Sequence, residues 1–520
     1  MKNNYPDIGS RKWWVLGAIA LAAIAFSLDL TVLNLALPTL STALHASSNQ
    51  LQWIIDAYAL VLAVLTLPAG LLGDRYGRKK FMLIALAIFG AGSAICAYSH
   101  SVDSLIASRV MLGLGASFIL PLAFSVLAIF FSDKERPKAI GVLMGGVFIA
   151  YPLGPILGGW LLTHFWWGSV FLINIPIVLF ALVAVAILLP ETSNPERKNI
   201  DFMGVALSSL GLTEITYGAI EAESKGWGNS HIVASLIAGT ILLVLFVLWE
   251  KRIMRRGLQP LVDLTLFNSA RFTWGTLLMT SVNFSLFGLL FLLPQYLEEV
   301  QGKNPAQAGY YLLPMIGGLI IGSVAMSKLI ARIGAKFAMS AGFALMAIGL
   351  FLGTRTTVQA SDLFIVAWTG IIGLGLGFAM PSAADAAIGA LSPENSGKGS
   401  ALVTAIRQVG GTLGVALLGT ILGTSYRNHL VLSALPTRAA TLARSSVAGG
   451  VAVAHAVHSP QLFQNVSTAF VDGMDIMLVV CGTIAVVAVI MALLFMPNKQ
   501  VKKVKGKLNR YDLKQPQASS

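Results

Sequence analysis

Taken as apolar and polar positions, the chain is a succession of long apolar runs cut by short polar ones. Fourteen runs stand out, near residues 13–38, 51–72, 80–98, 104–131, 138–163, 167–189, 204–221, 230–249, 272–295, 306–331, 337–354, 362–388, 399–424 and 474–496. A bilayer core about 30 Å thick takes about 20 residues of helix to cross, and each run is of that order. Only helices and closed barrels can cross, because backbone N–H and C=O groups find no water inside. The strict alternation of a barrel strand is absent, so the pattern predicts an all-α membrane protein of 14 transmembrane helices.

Polar stretches group the runs. PETSNPERKNID (190–201) is polar and proline-bearing and reads as a linker. EKRIMRRGLQPLVDLTLFNSARF (250–272) is basic, then amphipathic, and is expected to lie along a membrane surface. The organisation predicted is a six-helix bundle (1–189), an insert of linker, two helices and amphipathic linker (190–271), a second six-helix bundle (272–497) and a basic tail (498–520). The outward loop 427–473 is long and moderately apolar, which fits either a helical or a hairpin cap at the outer mouth. GLLGDRYGRKK (70–80) and SKLIARIGAK (327–336) form a weak internal echo, the mark of transporters built from related halves.

Composition agrees with the pattern. Of the 520 residues, 56% are hydrophobic and 11% charged, against about a quarter charged in soluble domains. A net charge of +13 invites a nucleic-acid reading, but its placement points to topology instead. Of the 36 Lys and Arg, 28 fall in the N-terminus, the loops after even-numbered runs and the tail, while Arg109 and Arg407 lie inside runs. The positive-inside rule then puts both termini in the cytoplasm. The tail KQVKKVKGKLNR is expected to touch anionic lipid headgroups. His45, His100, His164, His231, His429, His455 and His458 all fall in or beside outward loops, scattered and solvated, so no metal site is expected. Cys96 and Cys481 read as buried apolar thiols. No phosphate-binding G-x-x-x-x-G-K-[ST] loop and no clustered nucleophile is present, so neither ATP nor enzymatic chemistry is expected.

The chemistry that remains is charge inside the apolar runs. An ionisable residue in a membrane span marks a functional site by default. Asp29 lies about 24 Å along the first run from Trp13, in the far half of the membrane. Asp56 opens the second run, so antiparallel neighbours would place the two acids at similar depth, as a site for a proton, a cation, or each in turn. The alternative is an acid paired permanently with a neighbouring helix, with Arg109 the available partner. Arg109 itself is either such a partner or a cation snorkelling to the boundary. Glu214, mid-run in the seventh, and Asp385, nearer the cytoplasm in the twelfth, invite the same question. Phe26, Tyr58, Phe284, Phe287 and Phe378 lie where rings could cradle a flat cation. Trp13, Trp14, Trp53, Trp166 and Trp167 fall at run ends as interface anchors.

Several motifs add up to a resemblance. In GLLGDRYGRKK, Gly70, Gly73 and Gly77 permit close helix approach and a tight turn, and Asp74 stands beside Arg75 and Arg78, placed for an ion-pair latch. The pattern G-x-L-x-D-R-x-G-R-K between the second and third runs resembles the signature loop of the major facilitator superfamily. LIASRVMLGLGA (105–116) is similar to its fourth-span motif, with Leu112 where glutamine is common. The fifth run carries Gly141, Gly145 and Gly146, then YPLGPILGG with Gly154, Pro155, Gly158 and Gly159, and resembles the superfamily's antiporter motif, with Ala150 in place of a usual glycine. SLDLTVLNLALP (27–38) and QWIIDAY (52–58) resemble the first two spans of drug/proton antiporters, and VFLINIP (170–176), LPQYLEEVQG (293–302) and RQVGGTLGVALLG (407–419) are also family-like.

The resemblance covers nearly the whole chain except the 427–473 loop and the tail, and points to the fourteen-span drug/proton antiporter branch. It implies a monomeric transporter, driven by the proton gradient without a cofactor, that expels quaternary ammonium compounds and similar lipophilic cations. Asp29, Asp56 and Arg109 would then couple protons to substrate. Gly70, Asp74, Arg75, Gly77 and Arg78 would latch the conformation, and Gly146, Gly154, Pro155, Gly158 and Gly159 would form a leak-blocking hinge. Export of a lipid, amino acid or bile-like compound by the same fold is the alternative.

Overall fold

The computed structural model describes residues 11–131, 135–193, 201–258, 260–389, 391, 396–432 and 435–496. Seven helices come first: α1 (Lys12–Ala43), α2 (Ser48–Tyr76), α3 (Arg78–Ala97), α4 (Val102–Phe130), α5 (Arg136–His164), the single turn α6 (Ser169–Leu172) and α7 (Asn174–Leu188). A pair follows, α8 (Phe202–Lys225) and α9 (Ser230–Arg255). The rest are α10 (Ala270–Gln295), α11 (Pro305–Gly353), α12 (Asp362–Ile388), α13 (Ser396–His429), α14 (Thr437–Ser445), α15 (Val447–Ala456) and α16 (Pro460–Phe495).

Side chains that accept the first free N–H groups set many of the starts. Ser101 takes the amide of Ser104 at 3.2 Å, Asp201 that of Gly204 at 2.9 Å and Asn304 that of Gln307 at 2.8 Å. Gly334, with φ +82°, breaks α11 into two spans, Pro305–Met326 and Lys336–Gly353. Gly77 makes the corresponding turn between α2 and α3 with φ +122°, so the echo seen in the sequence recurs in the backbone.

The helix count differs from the expectation. Among the described residues eleven helices are long and apolar enough to cross a membrane, or twelve when α2, bent by 53° where Pro68 interrupts its hydrogen bonding, is one span. Fourteen is not reached. The two remaining long helices are α5, of 29 residues, and α8, of 24. Ser208, Ser209, Thr213, Glu214 and Thr216 dilute the apolar character of α8.

Helices α1–α7 pack chiefly among themselves, as do α10–α13 with α16, while α8 and α9 pack on each other and α8 leans on α2 and α13. The loop after α13 is helical: α14 and α15 form a hairpin whose second arm is largely buried. Tyr426 Oη of α13 donates to Ala443 O at 2.8 Å, and Ser446 Oγ meets Ser41 Oγ of α1 at 3.0 Å, so the hairpin joins the two bundles. All seven histidines are exposed and both cysteines are buried. Trp53 departs from the anchor role, packing instead against Ala219, Ile220 and Ala416. The tail from residue 497 and most of the 190–201 linker lie outside the described residues.

Candidate functional site

Asp29 and Arg109 build the best-defined polar centre. Arg109 Nη1 meets Asp29 Oδ2 at 2.7 Å, with the side chains 1% and 2% exposed. Arg109 Nε donates to Ile54 O at 3.1 Å, and the guanidinium lies 4.3 Å from the centre of the Tyr58 ring. Asn174 Nδ2 donates to Asp29 Oδ1 and to Ser93 Oγ, both at 3.1 Å, and Ser93 Oγ donates to Phe171 O at 2.7 Å. Arg109 does not snorkel: α2 supplies its backbone acceptor, α1 its carboxylate, α7 a donor to that carboxylate, and α3 joins through Asn174. Desolvating two charges is repaid only with close geometry and further hydrogen bonds, and removing one partner of a buried pair typically costs about 3–5 kcal/mol. Asn174 and Ser93 are not among the residues the sequence singles out, although a polar residue within the apolar VFLINIP is a signal for the first.

Asp56 is different. It is 0% exposed, and neither carboxyl oxygen has a hydrogen-bond partner among the described residues. Arg109 ties Asp29 to Ile54, so the two acids do lie near one level. Helical geometry nevertheless sets Asp56 about 200° around α2 from Ile54 and Tyr58, which face Arg109. Gln52, Trp53 and Asp56 share the other face, turned to α13 and α8: a Cβ on Gly419 would sit 2.8 Å from Gln52 Cδ. The structure therefore does not bring the two acids side by side, because depth follows from sequence position and helix rotation does not. About two and three turns from Gly419, toward the start of α13, Thr412 Oγ1 and Gln408 Nε2 are also buried with no hydrogen-bond partner among the described residues, as is Nε of the adjacent Arg407. Phe284 and Phe287 of α10 abut this stretch, with the Phe287 ring 3.1 Å from a Cβ on Gly411 and the Phe284 backbone against Gly414.

The glycine track of α5 seats the bundles on each other. A Cβ on Gly158 would meet Val32 Cγ1 at 3.2 Å, and one on Gly154 would strike Thr31, both on α1. On the other side, a Cβ on Gly159 would lie 2.7 Å from Ala306 Cα and Pro305 O, while one on Gly309 would lie 2.5 Å from Pro155 O. A Cβ on Gly146 would meet Ile24 Cγ1 of α1 at 3.3 Å. Beneath this seam Thr31, Pro155, Leu286, Leu290, Met315, Ile316 and Leu319 enclose a cavity of about 20 Å³, room for little more than one water. These contacts, like those of the hairpin, lie toward the end of the bundle opposite Lys79 and Lys80.

The Asp74 loop sits at that basic end. Arg78 Nη2 meets Asp74 Oδ1 at 2.7 Å, Arg78 Nε donates to Ser125 Oγ at 2.7 Å, and Ser125 Oγ donates to Asp74 Oδ1. Arg78 N donates to Thr192 O at 3.0 Å, and the amides of Lys79 and Lys80 reach Glu191 at 3.2 and 3.0 Å. Gly77 is needed twice here, for its positive φ and because a Cβ would sit 2.8 Å from Glu191 Oε1. A Cβ on Gly70 would meet Pro121 Cβ at 3.3 Å, and Arg75 lies over the Tyr76 ring at 5.1 Å. These partners belong to the first bundle and the segment leaving it.

The remaining candidates are dispersed. Phe26 is buried on α1 and Phe378 is partly buried on α12. Glu214 accepts from Ser235 Oγ at 2.6 Å, which ties it to α9 within the α8–α9 pair. Asp385 is exposed near the end of α12.

A family model described as the Major Facilitator Superfamily matches residues 19–415. The chain belongs to that superfamily. It is thus an all-helical, multi-pass membrane transporter and not an enzyme. The tetracenomycin C resistance and export protein of Streptomyces glaucescens is 33% identical over 93% of this chain and 91% of its own length. The methyl viologen resistance protein SmvA of Salmonella typhimurium is 32% identical over 85% of this chain and 89% of its own, and a multidrug resistance protein B homolog of Mycobacterium tuberculosis is 29% identical over 96% and 93%. Among solved structures, a bacterial homolog of the human lysosomal transporter Spinster, inward-facing and unoccupied, superposes with a TM-score of 0.65 at 16% identity, covering 94% of this chain and 97% of that one. The nucleoside transporter NupG superposes at 0.60 with 10% identity, over 93% and 100%. These two show the fold alone.

Proposed function

We propose that this transporter is a proton-coupled multidrug antiporter that exports lipophilic cations: quaternary ammonium compounds, cationic dyes and biguanide-like antiseptics. The observation that carries the proposal is Asp56, a sealed carboxyl with no hydrogen-bond partner among the described residues, on the face where α2 meets α13. An unpaired charge there is costly, and either a proton or an organic cation removes the cost, but not both at once. Phe287, whose ring packs against Gly411 of α13, would hold a flat cation against its face. The Asp29–Arg109 pair then serves as the coupling switch, since a proton on Asp29 removes the charge that holds Arg109.

The relatives named for resistance to methyl viologen and to several drugs support an export role. The name of the tetracenomycin C relative favours a second reading, export of a different organic solute by the same fold. We place both termini in the cytoplasm of a bacterial inner membrane, and we count α5 and α8 with the other twelve crossings as fourteen spans. With that orientation the seam through Gly159 and Gly309 closes the outer side, the state in which a substrate loads from within.

The test is uptake of ethidium into everted vesicles at several imposed pH gradients. Uptake that scales with the gradient and vanishes in Asp56→Asn supports the proposal. Uptake no faster than in vesicles lacking the protein refutes cation export.

A further inference from the structure

Two carboxyl groups outside the transport machinery meet where the α8–α9 pair joins the last bundle. Asp201 begins α8, its Oδ1 accepting from Gly204 N at 2.9 Å, and Trp249 Nε1 lies 2.9 Å from that oxygen and 3.0 Å from Oδ2. Glu250, near the end of α9, is 0% exposed. Its Oε2 accepts from Val262 N at 3.2 Å, in the linker that runs through the short 3-10 helix Leu264–Asn268 into α10. Its Oε1 is buried and has no hydrogen-bond partner among the described residues.

That oxygen is aimed at Asp201. A Cβ built on Gly204 would lie 2.5 Å from Asp201 Oδ2 and 2.6 Å from Glu250 Oε1, so the two oxygens flank one point. Among the described residues no basic side chain forms an ion pair with either acid: Lys251, Arg252, Arg255 and Arg256 are exposed. The Asp263 carboxylate is taken up by Thr265. Asp201 is the charged group facing Glu250, and two bare carboxylates this close repel while an unmatched buried acceptor adds its own cost.

One proton resolves both problems, turning Glu250 Oε1 into a donor toward Asp201. We propose that Asp201 and Glu250 are a proton-binding site of their own, in which a shared proton clasps the α8–α9 pair to the linker entering α10. When the proton leaves, the two acids separate and Val262 loses its acceptor. The site thus makes attachment of the inserted pair depend on pH at the basic end of the bundle, independently of Asp29 and Asp56.

The test uses the purified full-length protein, wild type and Glu250→Gln, from pH 6 to pH 9. Glutamine keeps an acceptor for Val262 N and a donor toward Asp201 without titrating. Infrared difference spectra between wild type and Glu250→Gln should contain one protonated carboxylic-acid carbonyl band at low pH that fades as pH rises. Tryptic cleavage after Arg255 and Arg256, referred to cleavage at Arg438 to cancel the protease's own pH response, should rise about tenfold across the range in wild type and stay flat in Glu250→Gln. A difference spectrum without that band at every pH, or one cleavage profile for both proteins, overturns the proposal.

Discussion

Arg109 and Asp29 face each other at 2.7 Å in a setting almost closed to solvent, and a second bond from Arg109 fixes Ile54 of the neighbouring helix. The arrangement makes the pair a joint between α1, α2 and α4 as well as a pair of charges. Asp29→Asn strands the guanidinium, and Arg109→Gln strands the carboxylate. Each is expected to destabilise the protein by about 3–5 kcal/mol. The double substitution removes both charges and should melt closer to wild type than either single variant, while export stays lost. A double variant no more stable than the singles would show that the charges are not each other's main partners.

Asp56 predicts the opposite balance. With no hydrogen bond to lose, Asp56→Asn should leave the melting temperature within about 2 °C of wild type, since small changes in free energy shift it little in a protein of this size. Gradient-driven dye uptake should nevertheless fall to background. Measuring both quantities on one preparation separates a transport residue from a structural one; a large stability loss with residual uptake would place Asp56 in the second class.

The contrast between these acids marks what a sequence can and cannot convey. A carboxylate inside an apolar run is visible in one dimension, and so is its distance from the membrane boundary; Asp29 and Asp56 were legible to that extent. The face each presents was not. When a helix is apolar nearly all round, periodicity gives no rotation, so the partners of Arg109 and the separation of Gln52–Asp56 from Ile54–Tyr58 emerged only with packing. The same holds for the Asp74 loop: the charges were evident, but Ser125, Glu191 and Thr192 come from other helices and turns. Most spans were legible because length and apolarity suffice for them, whereas Pro68 and the hydroxyl-rich α8 blur that criterion.

Gly159 tests the seam between the bundles. The close approach of Pro305 and Ala306 leaves no room for a side chain, and both are backbone contacts that cannot rotate aside. Gly159→Val should wedge the bundles apart at this end. Spin labels at positions 164 and 310, both exposed, should report a longer distance than in the parent protein, together with reduced export. An unchanged distance distribution would mean that this contact does not hold the bundles closed.

Tyr426 tests how the hairpin is fastened. Its hydroxyl, on α13, donates to Ala443 O at 2.8 Å, and the hairpin in turn reaches the first bundle through Ser446 with Ser41 and through Ser48 Oγ, which donates to Ser445 O at 3.1 Å. Tyr426→Phe keeps the buried ring and deletes the donor, leaving a carbonyl that must find water, at a cost of about 1–3 kcal/mol. Global unfolding need not follow, because the loss falls on a segment held by few such bonds. The expected result is local: tryptic cleavage after the exposed Arg444 should quicken about tenfold while the melting temperature moves by only a few degrees. Equal cleavage rates in the variant and its parent would mean that the serine contacts alone retain the hairpin, and that closure of this end does not pass through α13.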